Sequence, residues 1–195
     1  GILVPAGKSA SLYQDGTNVV EAADYSSAAY TFASDITVNG VTVGKGANSV
    51  ANNTVLGDDA LDAAVTGDNN VAVGKSALTA NTSGASNVAV GEAAMDANTT
   101  GGSNVAVGRD ALGANTTGSF NQAFGRNALL TNTTGQYNNA FGNDALKVNT
   151  ASNNTAVGHA ALVANTTGAA NTSVGYSSLY QNTTGAANGA FGYQT

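Results

Sequence analysis

A glycine returns every 17 residues along most of this chain, and a fixed set of neighbours returns with it. Gly57, Gly74, Gly91, Gly108, Gly125 and Gly142 are spaced by 17; Gly158 follows after 16, then Gly175 and Gly192 after 17 each. Four residues before each marker stands an asparagine: Asn53, Asn70, Asn87, Asn104, Asn121, Asn138, Asn154, Asn171 and Asn188. Four residues after comes Leu61, Leu78, Met95, Leu112, Leu129, Leu146, Leu162 or Leu179. A short fixed period means one supersecondary unit stacked on copies of itself, each burying an apolar face that it could not bury alone. The period predicts a rod, and rods serve as scaffolds, spacers or adhesins more often than as enzymes.

From Asn53 onward each unit has three parts. Asn70-Val71-Ala72-Val73-Gly74 reads as a short strand ended by glycine. Ser76-Ala77-Leu78 is a second apolar stretch, either strand or tight corner. Asn81-Thr82-Ser83-Gly84 reads as a turn, and it recurs as Asn-Thr-Thr-Gly from Asn98, Asn115, Asn132, Asn165 and Asn182. Asn tolerates the left-handed conformation and bonds its own backbone, and Gly supplies positive φ at no steric cost. Seventeen residues are too few for a strand, a helix and their loops. The expected fold is therefore all-β, a parallel β-roll or β-solenoid of 17-residue coils, each with two short strands. Coils stack at about 4.8 Å, so nine of them make a segment on the order of 40 Å long.

The strand faces carry the next inference. One residue before the marker the chain has Leu56, Val73, Val90, Val107, Phe124, Phe141, Val157, Val174 and Phe191; one residue earlier it has Val55, Ala72, Ala89, Ala106, Ala123, Ala140, Ala156, Ser173 and Ala190. Adjacent strand residues point to opposite faces, so both faces are apolar through nearly every coil. One face can line the lumen, and the other needs a partner, because a continuous apolar stripe is too large to leave wet. The simplest partner is another copy, with three copies expected around a fibre axis. Which ladder faces the lumen stays open at this point. Phe replaces Val at Phe124, Phe141 and Phe191, where the residue two earlier is Gln122, Asn139 or Gly189 rather than Val. Such compensation within one chain places the two positions on a common face.

The region before the repeats divides in two, giving three parts: residues 1–35, 36–52 and 53–195. In the first, Asp15-Gly16 between Ser11-Leu12-Tyr13-Gln14 and Asn18-Val19-Val20 is a hairpin signal. Pro5 ends a strand or confines it to an edge, and Ala22 to Ser34 reads as a connector. In the second, Ile36-Thr37-Val38-Asn39-Gly40-Val41-Thr42-Val43 alternates around an Asn-Gly turn. It is expected to cap the first coil, whose strand edge would otherwise be unpaired. The repeat stops at Thr195, just inside a new unit, so the chain reads as a segment of a longer polypeptide.

Composition removes several functions. Without Cys there are no disulfides and no thiolate metal sites. A net charge of −6 with six basic residues argues against nucleic acid and anionic membranes as partners, and no apolar run approaches the ~18 residues of a membrane span. No catalytic centre, metal or other cofactor is expected. His159, the only histidine, lacks partners spaced to join it. The acids stand singly except for Asp58, Asp59, Asp62 and Asp68, which match no calcium-loop pattern. The slot after the marker reads Asp58, Lys75, Glu92, Arg109, Arg126, Asn143, His159, Tyr176 and Tyr193, a solvated ladder that alternates in sign over its first four rungs. The Asn-Thr-Thr triplets fit glycosylation acceptors but recur because the turn recurs. Adjacent Thr residues point different ways, which weakens an ice-binding reading without removing it. Tyr137, Tyr176, Tyr180 and Tyr193 fall in turn or ladder slots where a coil needs no bulk. Exposed rings there could stack on sugars.

The units resemble the repeats of bacteriophage tail-fibre proteins. The resemblance runs through Ser34-Asp35-Ile36-Thr37-Val38-Asn39-Gly40-Val41-Thr42-Val43-Gly44-Lys45-Gly46 and units such as Asn104-Val105-Ala106-Val107-Gly108. The opening Pro5-Ala6-Gly7-Lys8-Ser9 and Tyr13-Gln14-Asp15-Gly16-Thr17-Asn18-Val19-Val20-Glu21-Ala22 is similar to a segment upstream in such proteins. The Asn-x-x-Val-Gly unit also resembles the head repeat of trimeric autotransporter adhesins, whose period is shorter. The resemblance implies a homotrimeric virion fibre beside other fibre or tail proteins, reaching toward a host-cell glycan or protein. The bacterial cell surface is the alternative setting.

Overall fold

The computed structural model describes residues 11–14, 18–21, 35–46 and 50–195. Two compact units divide the chain, Gly1–Ala33 and Ser34–Thr195. In the first, β1 (Ser11–Gln14) pairs antiparallel with β2 (Asn18–Glu21), Ser11 opposite Glu21 and Gln14 opposite Asn18. The Asp15-Gly16 turn, Pro5 and the connector from Ala22 to Ser34 lie outside the described residues.

The second unit is a parallel β-solenoid. Its strands are β5 (Thr54–Gly57), β6 (Val71–Val73), β7 (Val88–Val90), β8 (Val105–Val107), β9 (Gln122–Phe124), β10 (Asn139–Phe141), β11 (Thr155–Val157), β12 (Thr172–Val174) and β13 (Gly189–Phe191). All pair in parallel and in register, Ala72 against Ala89 and Ala89 against Ala106. β3 (Ile36–Val38) and β4 (Val41–Gly44) pair antiparallel, and β4 adds antiparallel to β5 with Val43 opposite Leu56. Asn39 and Gly40 have φ of 51° and 83°, as the turn signal requires. The Asp35 carboxylate accepts the Lys45 and Gly46 backbone N–H groups at 2.7 and 2.6 Å. Gly46 lies against Leu61, whose carbonyl oxygen a Cβ there would meet at 2.8 Å.

Each coil holds one strand, not two. The stretch from Ser76 to Leu78 is a corner in which Ser76 and Leu78 have φ of 57° and 55°, and every coil repeats it. Left-handed backbone costs a residue such as Leu roughly 1–2 kcal/mol. Full burial of Leu78 returns about 1.5–3 kcal/mol, and its N–H donates to the Ala94 carbonyl of the next coil at 3.0 Å. The corner is tolerable because its leucine fills the lumen.

The alanine ladder faces inward. Ala72, Ala89, Ala106, Ala123, Ala140 and Ala156 are fully buried, packed with Leu78, Met95, Leu112, Leu129, Leu146 and Leu162. Leu179, in the same slot of a later coil, packs against this core while partly exposed. From β6 to β11 the leucines of the corner face alanine on the strand; the same inward slot holds Val55 in the first coil and Ser173 in β12. The Val and Phe ladder therefore points out.

Two columns of asparagine share the lumen. In the first, Asn104 Oδ1 accepts the Asn121 N–H at 2.9 Å, and Asn104 Nδ2 donates to the Gly118 carbonyl at 2.8 Å. Asn70, Asn87, Asn121, Asn138, Asn154 and Asn171 repeat the pattern. In the second, Asn98 Nδ2 donates to Asn81 Oδ1 in the coil before and to the carbonyl of its own turn, Gly101. These turn asparagines are not left-handed, and the turn glycines do not have positive φ. Glycine is required there for another reason: a Cβ on Gly84 would fall 2.5 Å from Asn81 Oδ1 and closer still to the Gly101 carbonyl. Gly74 meets the same obstacle and a second one, with a would-be Cβ 2.6 Å from the Gly91 carbonyl and φ of 124°.

The 16-residue repeat is absorbed in its turn. Asn139 still pairs with Thr155 and Thr155 with Thr172. The Ala151 carbonyl accepts both Asn138 Nδ2 and Asn149 Nδ2 at 2.8 Å, taking over the turn-glycine role. The deletion interrupts the second column, since Asn132 Oδ1 is buried without a hydrogen-bond partner. Replacing Ala151 by Thr-Gly restores the common length. It is expected to raise stability by about 1 kcal/mol by satisfying that oxygen, and chemical denaturation reads the sign. Asn104→Ala leaves the Asn121 N–H and the Gly118 carbonyl unpaired and is expected to cost about 2–5 kcal/mol in the same assay. A loss below 1 kcal/mol would mean the column is dispensable.

Candidate functional site

The outer face of the sheet carries one continuous stripe. Because residues two apart on a strand share a face, Val71 with Val73, Val88 with Val90 and Val105 with Val107 form one half-buried stripe. It continues through Gln122 with Phe124, Asn139 with Phe141, Thr155 with Val157 and Thr172 with Val174. The expected pairing of Phe with a smaller or polar neighbour thus lies on this outer face. Phe124 and Phe141 stack at 4.9 Å and 7°. Phe191, assigned by sequence to a structural slot, is 72% exposed.

Two more aromatic columns stand beside the stripe. His159, Tyr176 and Tyr193 are successive rungs of the slot after the marker glycine, with centroids 5.2 and 5.3 Å apart. Both faces of Tyr176 are thereby covered, and only ring edges meet solvent. Phe120 and Tyr137 occupy the slot before the marker asparagine and stack at 5.1 Å and 2°. All four tyrosines singled out in the sequence are exposed, but they do not converge. Tyr176 and Tyr180 border an open depression with Leu179 and Thr195, whereas Tyr137 sits on the turn side. Phe120 was not singled out. Its one signal is that it lies 17 residues before Tyr137.

The charge ladder forms one cross-coil pair, Lys75 to Asp58 at 3.7 Å, exposed at both ends and worth a few tenths of a kcal/mol. Arg109 pairs instead with its chain neighbour Asp110 at 3.5 Å. Among the described residues no three His, Cys, Asp or Glu side chains gather as metal ligands would. The amide nitrogens of the Asn-Thr-Thr turns are engaged in the second column, as at Asn98, Asn115 and Asn165.

Comparison with protein families, curated proteins and solved structures gives no match. What the chain does must be argued from these surfaces.

Two corner aspartates titrate in opposite senses. Burial raises Asp144, yet the Asn127 amide at 2.9 Å and the Lys147 ammonium at 3.2 Å, with the charge of Arg126, outweigh it and hold it below the usual carboxylate value. Burial pushes Asp96 up, against a backbone hydrogen bond from Ala97, and Asp110 adds to the rise. Asp144 therefore stabilises the fold above the ordinary aspartate value of about 3.9, and the contribution is lost as pH falls through its lowered pKa. Asp96 contributes below that value and loses the contribution as pH rises through its raised pKa. Asp144→Asn is expected to lower the melting temperature at pH 7 and flatten its fall toward pH 3; Asp96→Asn is expected to raise it at pH 7. Melts of both variants across that range check the signs.

Proposed function

We propose that this chain is a structural segment of a homotrimeric extracellular fibre. The setting is a virion tail or capsid appendage, where it lies beside other fibre or tail proteins, gives rigid reach toward a host cell and can add surface adhesion. The observation that carries the reading is the outer stripe from Val71 to Val174, apolar at one or both positions of every coil and only half-buried in the single chain. Contiguous apolar surface of that kind marks a protein contact. The number three and the virion setting rest on the resemblance to trimeric fibres.

Rigidity has its own support. Nearly every segment of a coil bonds to a neighbouring coil, through Val71, Gly74, Ser76, Leu78, Ala80, Thr82 and Ser86 N–H groups in succession. Bending would have to stretch several of these bonds together. The proposal is non-enzymatic.

A bacterial trimeric adhesin head is the alternative with the same physics, since it needs the same stripe. The ice-binding reading has less support, because the first threonine of the turn spends its hydroxyl on the next coil. Thr99 Oγ1 donates to the Thr116 carbonyl at 3.0 Å, and Thr82 and Thr116 repeat this.

Sedimentation of the isolated chain at micromolar concentration is expected to give a trimer. Val107→Asp is expected to dissociate it, whereas Arg109→Asp leaves it intact, because only the first places a charge within the stripe. A folded monomer in the unsubstituted chain would overturn the proposal.

A further inference from the structure

We infer that the Phe120–Tyr137 stack is a binding site for a neutral oligosaccharide, with Phe120 as well as Tyr137 making the contact. The inference deepens the adhesive part of the proposed function and rests on it. The column before the marker asparagine runs Ser86, Ser103, Phe120, Tyr137, Asn153, Ala170, Ala187. Its continuity is fixed by backbone bonds from Phe120 N–H to the Gly102 carbonyl, Tyr137 N–H to Ser119 and Asn153 N–H to Gln136. Every rung is left-handed, and Phe120 and Tyr137 have φ of 60° and 58°. Small and polar residues occupy the other rungs, so the coil itself has no need of a ring here. Bulky side chains are the least suited to this conformation, and both rings remain about half-exposed, at 50% and 53%.

The stack ends on two open faces. Each ring covers one face of the other, and beyond the pair the next rungs are Ser103 on one side and Asn153 on the other. Neither can cover a ring, so the outer face of Phe120 looks over the serine and that of Tyr137 over the asparagine amide. Both polar side chains are exposed, and neither makes a hydrogen bond among the described residues. An aromatic face beside free hydroxyl and amide groups matches a pyranose, whose C–H face stacks on the ring while its hydroxyls bond at the edge. In the His159 column Tyr176 is covered on both faces, and Asn143, the rung before His159, already accepts the Arg126 N–H through its side-chain oxygen.

Charge selects the class of sugar. No Asp, Glu, Lys or Arg occurs in residues 97–108, 111–125, 127–143 or 148–158, so the turn side of these coils is neutral. An acidic glycan would find no cation there, and a phosphorylated one no clamp.

The test uses the intact chain with cellohexaose and chitohexaose, both neutral and equatorially substituted, read by saturation-transfer NMR and by tyrosine fluorescence. The chain has no Trp, so tyrosine emission is not masked. Binding of at least one of the two is expected. Phe120→Ser with Tyr137→Asn, residues already accepted at Ser103 and Asn153, is expected to weaken it at least tenfold without lowering the melting temperature. Tyr176→Ser is expected to leave it within twofold. Three outcomes would overturn the inference: no binding of either sugar, unchanged binding in the double variant, or a double variant that melts several degrees lower, which would make the rings a structural cover. Sedimentation reads the trimer separately, so either reading can fail alone.

Discussion

The buried side-chain amide is the interaction on which this solenoid depends. A coil as narrow as this one cannot satisfy all of its backbone groups through strand pairing, because each strand is only three or four residues long. The turns must carry carbonyls into the lumen, where an unpaired one costs about 1–3 kcal/mol. Asparagine has a donor and an acceptor at one end of a short stem. Placed in register, it takes a backbone N–H from the coil above and gives its own amide to a turn carbonyl, as Asn104 does between Asn121 and Gly118. The exchange works only when successive asparagines stack, which locks the period to the coil. Register and polar satisfaction are then one requirement.

That requirement sorts the rest of the residues. Two amide columns and a leucine column share the lumen with the inward strand position, which is alanine in six successive coils from Ala72 to Ala156. Glycine stands where a Cβ would strike the carbonyl of the next coil, as at Gly74 and Gly84. Side chains larger than the lumen can hold are displaced to the outside, which is where valine and phenylalanine collect. The apolar stripe is thus a consequence of the narrow lumen, and it is also what the coil offers a partner. Surface slots outside these columns are free to vary, and there the charges and exposed tyrosines appear.

Much of this could be read in the sequence, for a physical reason. The marker glycine, its asparagine and its leucine recur because each occupies a slot that the coil cannot vary, so period and parallel stacking follow from them directly. Other features were hidden. Ser76-Ala77-Leu78 has the apolar character of a strand, and no residue in it announces left-handed backbone, so the sequence admits a strand there as well as a corner. The burial of Asn81 and its equivalents is not legible, because the Asn-Thr-Thr-Gly pattern is as apt for an exposed turn as for an amide column. The choice between alanine and valine ladders turned on lumen width, which depends on where Leu78 points. Phe120 carries no signal of its own, because its stacking partner Tyr137 stands 17 residues on.

Hydrogen exchange on the folded chain tests the amide column most directly. The N–H groups of Asn87, Asn104, Asn121 and Asn138 each donate to a side-chain oxygen of the preceding coil. If that column sets the register, these protons exchange as slowly as those of Ala89, Ala106 and Ala123 in the strands, opening only with the whole solenoid. Exchange as fast as that of the exposed turn residue Thr134 would contradict it, and would mean that strand pairing alone holds the coils in place.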